Sequence, residues 1–147
     1  QVSLLSVESS RCERWHAPGL LLIGDAAHVM SPVGGVGINY AVQDAVVAAN
    51  TLFAALLAGE APERLLAQVQ RRRELPTRFI QAVQWTIQQQ VIAGALDSNR
   101  VFQLPWPLRL PVVRSLPARL FAFGLWPPRV GPALLAAMTA AQRGTPA

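Results

Sequence analysis

Apolar residues recur along the chain in several different rhythms. Gln1 to Val7 alternates weakly and predicts an edge strand, and Glu8 to Gly19 reads as a polar connection closed by a Pro18-Gly19 turn. Leu20 to Ile23 is an unbroken apolar run, short enough for a buried strand. A glycine-rich stretch from Gly24 to Gly37 follows, then a helix from about Ile38 to Ala58, with Gly59 as its stop. Ala41, Val42, Ala45, Ala48, Ala49, Leu52 and Leu56 keep the three-four spacing of one buried helix face. Pro62 suits the first turn of a second, long helix reaching about Ala95, with Pro76 predicting a kink. Gln81, Gln84, Gln88, Gln89 and Gln90 give that helix a polar, uncharged face suited to contact with another surface. Four prolines between Leu104 and Pro117 predict an extended crossing. Short helices near Ala118–Leu125 and Pro132–Ala141 and a loose tail from Gly144 to Ala147 complete the pattern, without internal repeats.

Composition narrows the function classes. The 147 residues suffice for one domain, and the 52% hydrophobic fraction and mean hydropathy of +0.30 are high for an isolated soluble one. The apolar run Ala45 to Ala58 is too short to span a bilayer, and no signal-peptide pattern is present; apolar Leu104 to Trp126 is compatible with a membrane surface. All 13 basic residues are arginine, giving a net charge of +5. They are scattered, apart from Arg71-Arg72-Arg73, and no aromatics are interleaved with that cluster, which argues for a solvated helix face over nucleic-acid binding. Trp15, Trp85, Trp106 and Trp126 are expected in core or interface. Cys12 alone forms no internal disulfide, which suits a cytoplasmic location. His16, His28 and Cys12 lack metal-ligand spacing, and Met30-Ser31-Pro32 is not the elbow that a Ser31-His28-Asp25 triad would need.

The chemistry concentrates between Gly24 and Asp44. A strand, a glycine-rich turn and a helix N-terminus in succession present bare backbone N–H groups to an electron-rich ligand. Asp25 at the strand end can accept hydrogen bonds from a polyol or ribose, or cap the following turn. Gly34, Gly35 and Gly37 let backbone approach a flat ring, toward which the helix directs its positive end.

Gly24-Asp25-Ala26-Ala27-His28, Pro32, Gly34-Gly35, Gly37, Asn39 and Asp44 closely resemble the second flavin-binding motif of the FAD-dependent aromatic hydroxylases, the p-hydroxybenzoate hydroxylase-like monooxygenases. Arg14-Trp15 and Pro18-Gly19 extend the likeness upstream; it fades after about Leu57. The resemblance implies an α/β fold: the C-terminal part of a Rossmann-like, glutathione-reductase-type FAD-binding domain over residues 1–59, then a mostly helical C-terminal region over 60–147. It implies that Asp25, next to Gly24, binds the ribityl chain of FAD. By the same likeness the N–H groups around Val36, Gly37, Ile38 and Asn39 face the isoalloxazine N1–C2=O edge, Gly34 and Gly35 bind the cofactor through their bare backbone, and Pro32 lies at the flavin–substrate junction as the one candidate catalytic position. His28 and Asp44 are read as structural, Asp44 pairing with loop backbone or an arginine.

The family's ADP-binding G-x-G-x-x-G unit is not found: Gly35-Val36-Gly37-Ile38-Asn39 is followed by Tyr40 where the third glycine belongs, and no Asp-Gly pair occurs. The chain is therefore expected to be the C-terminal part of a longer enzyme whose N-terminal part holds ADP. The implied activity is oxidation of a small, often aromatic substrate with FAD, NADH or NADPH, and oxygen. A non-oxygenating dehydrogenase or reductase of the same fold, and a catalytically silent interaction module, are the alternatives.

Overall fold

The structure is a computed structural model that describes residues 9–96, 119–121, 123, 124 and 126–143, with backbone only for 90–96. The expectations for Gln1–Val7, Leu104–Pro117 and Gly144–Ala147, and for Trp106, lie outside these residues. Among the described residues four short strands come first: β1 (Ser10–Arg11), β2 (His16–Ala17), β3 (Leu20–Leu21) and β4 (His28–Val29). The helices α1 (Gly37–Leu57), α2 (Glu63–Leu96) and α3 (Pro132–Arg143) follow, and residues 119–121 and 123 are also helical.

The strand at Leu20 is shorter than its apolar run predicts. It pairs antiparallel with β2 across the Pro18-Gly19 turn, and β1 pairs antiparallel with β4. Leu20 is exposed, so the run is not a buried central strand among the described residues. The described chain is thus mixed, dominated by two long helices, with two small antiparallel pairings in place of a parallel sheet.

α1 and α2 pack antiparallel, with Tyr40 beside Ile80 at one end and Leu52 beside Leu66 at the other. Met30 and Val36 complete the first cluster, on which Val83, Leu120 and Phe121 rest; Val47 and Val69 complete the second. Each fully buried side chain such as Ile80 or Val69 contributes about 1.5–3 kcal/mol of hydrophobic stabilisation. α2 is continuous through Pro76. Trp15 is buried, whereas Trp85 and Trp126 are exposed.

The buried face of α1 differs from the apolar stripe in its sequence. Tyr40, Gln43, Asp44, Val47 and Leu52 face inward, while Val42 is 58% exposed and Ala45 and Leu56 also lie outside. A buried cation on α2, Arg73, draws Asp44 inward, and the apolar residues that flank it in sequence turn away. α1, which contains all but the last residue of the Ala45–Ala58 run, is long and apolar enough to cross a membrane by length and composition, yet its polar stripe is engaged by α2.

Candidate functional site

The Gly24–Asp44 segment folds as two turns followed by a helix. The first is a single 3-10 turn, Gly24–Ala26, closed by the Ala27 N–H donating to the Gly24 carbonyl at 2.9 Å. Gly24 has φ +58, and a Cβ there would sit 3.0 Å from the Cβ of Ala41, so both backbone conformation and helix contact require glycine. Asp25 stands exposed on this turn. The second turn spans Pro32 to Gly35, closed by Gly35 N–H to the Pro32 carbonyl at 3.0 Å.

α1 begins at Gly37 with Val36 as its N-cap. Val36 has no side-chain oxygen to satisfy the first N–H groups, and the first turn carries no acid. The positive end of a 21-residue helix is left uncompensated. A cavity of about 620 Å³ opens between the turns and this helix end. Gly24, Asp25, Pro32, Gly35, Gly37 and Ile38 line it, Met30 and Ser31 contribute from the loop, and Ala41, Val42 and Ala45 form an apolar wall. The structure therefore brings together six of the nine residues singled out in the sequence. Gly34, Val36 and Asn39 do not line the cavity: Val36 is fully buried in the core, Asn39 is exposed, and Gly34, also exposed, turns its Cβ side to the ring of Phe121. A Cβ on Gly34 would fall 2.4 Å from that ring.

Behind the first turn lies a buried charge network. Asp44 Oδ2 accepts from the Gly24 N–H at 3.0 Å and from His28 Nε2 at 2.6 Å, so one oxygen ties both ends of the turn that carries Asp25. Asp44 Oδ1 accepts from Arg73 Nε at 2.6 Å. Asp44 and Arg73 are 0% and 1% exposed. Burial alone would raise the Asp44 carboxyl, but the hydrogen bonds from His28 and Arg73 outweigh it and hold the group below its ordinary range. With Asp44 a carboxylate, His28 Nε2 carries the donated proton. Trp15 packs on the His28 ring at 5.1 Å, and the Arg73 guanidinium lies over Tyr40 at 5.2 Å. Burial is the main cause that raises the Tyr40 phenol, with Arg73 opposing and Asp44 adding.

α2 also holds the second turn. Gln84 Nε2 donates to the Ser31 and Val33 carbonyls, both at 2.7 Å, on either side of Pro32. Gln81 reaches the Ser10 and Val29 carbonyls, and Gln70 the Glu13 carbonyl and the Trp15 N–H. The glutamine face thus contacts the loops of its own chain. Sequence reasoning missed Arg73, which looks like any member of an exposed arginine run, and Phe121. The helical spacing of Gln70, Arg73, Thr77 and Gln84 is the signal that could have found this face. Among the described residues no cluster of metal-ligating side chains occurs.

Comparison with known proteins completes the description. The profile of the FAD binding domain matches residues 1–86, which carries it past Gly59 into α2. The chain is 40% identical over 117 residues to 6-methylpretetramide 4-monooxygenase of Streptomyces rimosus, covering 80% of this chain and 27% of that protein. It is 46% identical over 68 residues to aklavinone 12-hydroxylase DnrF of Streptomyces peucetius, covering 46% and 14%. It is 40% identical over 72 residues to anhydrotetracycline monooxygenase of Streptomyces rimosus, covering 49% and 14%. The chain spans about a quarter of the first of these relatives and less of the other two.

Proposed function

The chain belongs to the FAD binding domain family of flavin-dependent monooxygenases, and from that premise we propose that it supplies the ribityl and isoalloxazine side of the cofactor site in a longer monooxygenase. One observation carries the reading: an exposed carboxylate, Asp25, and the uncapped N-terminus of α1 open on the same cavity. The donor set fits FAD. A carboxylate accepts from ribityl hydroxyls, free N–H groups at Gly37 and Ile38 meet the electron-rich edge of the ring, and Ala41, Val42 and Ala45 offer an apolar wall. Gly35 lines the cavity with open space where a Cβ would be, which suits close approach by a flat ring.

When bound, FAD supplies the redox chemistry, taking electrons from a nicotinamide cofactor and passing oxygen to substrate. The residues present bind, orient and shield it. Asp25 fixes the chain of the cofactor, and the α1 end stabilises negative charge at the ring edge. Pro32, with φ fixed by its own ring, forms a rigid lip where substrate meets flavin. The relatives' names describe a 4-monooxygenase of 6-methylpretetramide, a 12-hydroxylase of aklavinone and a monooxygenase of anhydrotetracycline, and hydroxylation of a small aromatic substrate, together with NADH or NADPH, is the class we assign. In this reading residues 1–59 complete a Rossmann-like cofactor domain with an N-terminal ADP-binding part, residues 60–147 form the helical region, and the protein is cytoplasmic, in keeping with its exposed free Cys12.

Asp25→Ala in the full-length enzyme tests the assignment. Loss of a charged hydrogen bond of about 1.5–3 kcal/mol lowers FAD affinity roughly 10- to 100-fold, read by fluorescence titration of the apoenzyme. Undiminished flavin retention would sink the ribityl assignment. Substrate-dependent oxygen uptake separates a monooxygenase from a non-oxygenating relative.

A further inference from the structure

We propose that Arg73 and Gln84, on one face of α2, are the positioning residues of the cofactor loop: Arg73 sets the Asp25 turn through Asp44, and Gln84 sets the Pro32 turn directly. The inference rests on the cofactor reading above for its consequence, but its geometry stands apart from it. Neither side chain lines the cavity. Arg73 acts at one remove, because its Nε holds the carboxylate whose other oxygen takes both the Gly24 N–H and His28. Its Nη1 also donates to Gln43 Oε1 at 3.0 Å, and Gln43 Nε2 donates to the Phe123 carbonyl, which ties the C-terminal segment to the same junction. Gln84 acts on backbone alone. Two donations from one amide nitrogen fix the carbonyls before and after Pro32, so the lip cannot rotate without breaking them.

The two turns make no hydrogen bond to each other among those described, and each is instead referenced to the same helix, on either side of Pro76. The distance between Asp25 and Pro32, and hence between the ribityl and substrate ends of the site, is therefore set by the spacing of Arg73 and Gln84 along α2. Binding groups held to within about half an ångström by a supporting layer are what a precise site requires.

The test uses the full-length flavoenzyme with Gln84→Met, Gln84→Glu, Arg73→Lys and Arg73→Met, and Leu66→Ala as a control. Leu66 lies in the second core cluster, away from the cavity. Three readouts are compared: FAD affinity of the apoenzyme, melting temperature, and amide hydrogen exchange of the apoenzyme. Gln84→Met removes both donors without adding charge and is expected to weaken FAD binding about tenfold, the scale on which supporting residues act. It should speed exchange at residues 31–35 and not at residues 66–69. Gln84→Glu, which turns a carboxylate on two carbonyls, should do more. Arg73→Lys should retain part of the affinity that Arg73→Met loses. Leu66→Ala should lower the melting temperature without altering FAD affinity. The proposal is overturned if Gln84→Met and Leu66→Ala fall on one line of affinity against melting temperature, or if Gln84→Met leaves exchange at 31–35 unchanged. Failure of the cofactor reading looks different: Asp25→Ala would then retain flavin while Gln84→Met still loosens its turn.

Discussion

On one side of α1, Gln43 and Asp44 are buried against α2 and bonded to Arg73; on the other, Val42 and Ala45 face an open cavity. Composition alone would have reversed the two sides. The difference separates two jobs that one helix performs at once. The polar side is fixed and closed, because a buried carboxylate is tolerable only when it is paired and hydrogen-bonded, as Asp44 is by Arg73, His28 and the Gly24 N–H. The apolar side is open, and in the proposed reading a flat aromatic cofactor is held there by shape and exclusion of water. The two carboxylates of the motif repeat the contrast: Asp25 is exposed and available, whereas Asp44 is fully engaged.

The sharpest way to break this contrast is to exchange the consequences of the two acids. Asp44→Ala leaves Arg73 buried without its carboxylate and should destabilise the full-length protein by about 3–5 kcal/mol, measured by denaturant unfolding. Asp25→Ala should change stability by no more than about 0.5 kcal/mol while losing flavin. Equal losses in both variants would dissolve the distinction. Next in size is Gly34→Ala: at φ +81 and against the Phe121 ring it should cost about 1–3 kcal/mol, and adding Phe121→Ala should recover only the part due to the clash. Val42→Asp probes the open side. It should leave the apoprotein's melting temperature nearly unchanged and weaken FAD binding roughly tenfold, by placing a like charge near the electron-rich ring edge.

Acid titration gives the smallest and most specific test. The folded-state pKa of Asp44 is depressed, so its contribution is present above the ordinary value of 3.8 and is lost as pH falls through the lower folded-state value. Unfolding free energy of the intact protein should decline in that acidic window, and Asp44→Asn should flatten the decline. An unchanged slope in the variant would assign acid sensitivity to other groups.

Much of this was legible in the sequence, for particular reasons. The glycine spacing marked a turn-rich segment leading into a helix, because positions such as Gly24 and Gly34 take positive φ, and α1 and α2 declared themselves by length and periodicity. Asp44 was expected to pair with loop backbone or an arginine, and it pairs with both. What stayed hidden depends on contacts remote along the chain. Arg71, Arg72 and Arg73 are chemically identical in sequence, yet only Arg73 is buried, because rotation of α2 is decided by packing of Leu66, Val69 and Ile80. The inward stripe of α1 was misjudged because alanine and valine are content on either side, while one charge pair chooses. Leu20 to Ile23 was read as a buried strand because an apolar run does not say what will cover it.

The hydrogen bonds from Arg73 and Gln84 also impose an order in time. The loop leaves the ribosome before the helix that holds it. At roughly 5–20 residues per second, Gln84 is added about 2–8 seconds after Asp44, and emerges from the exit tunnel that much later. Until Arg73 is added, about three-quarters of the way through that interval, Asp44 lacks its guanidinium, and throughout it the Ser31 and Val33 carbonyls are bonded to water. A nascent chain halted between the two therefore displays the whole glycine motif without the contacts that hold its turns, and in the proposed reading flavin capture waits for the later helix.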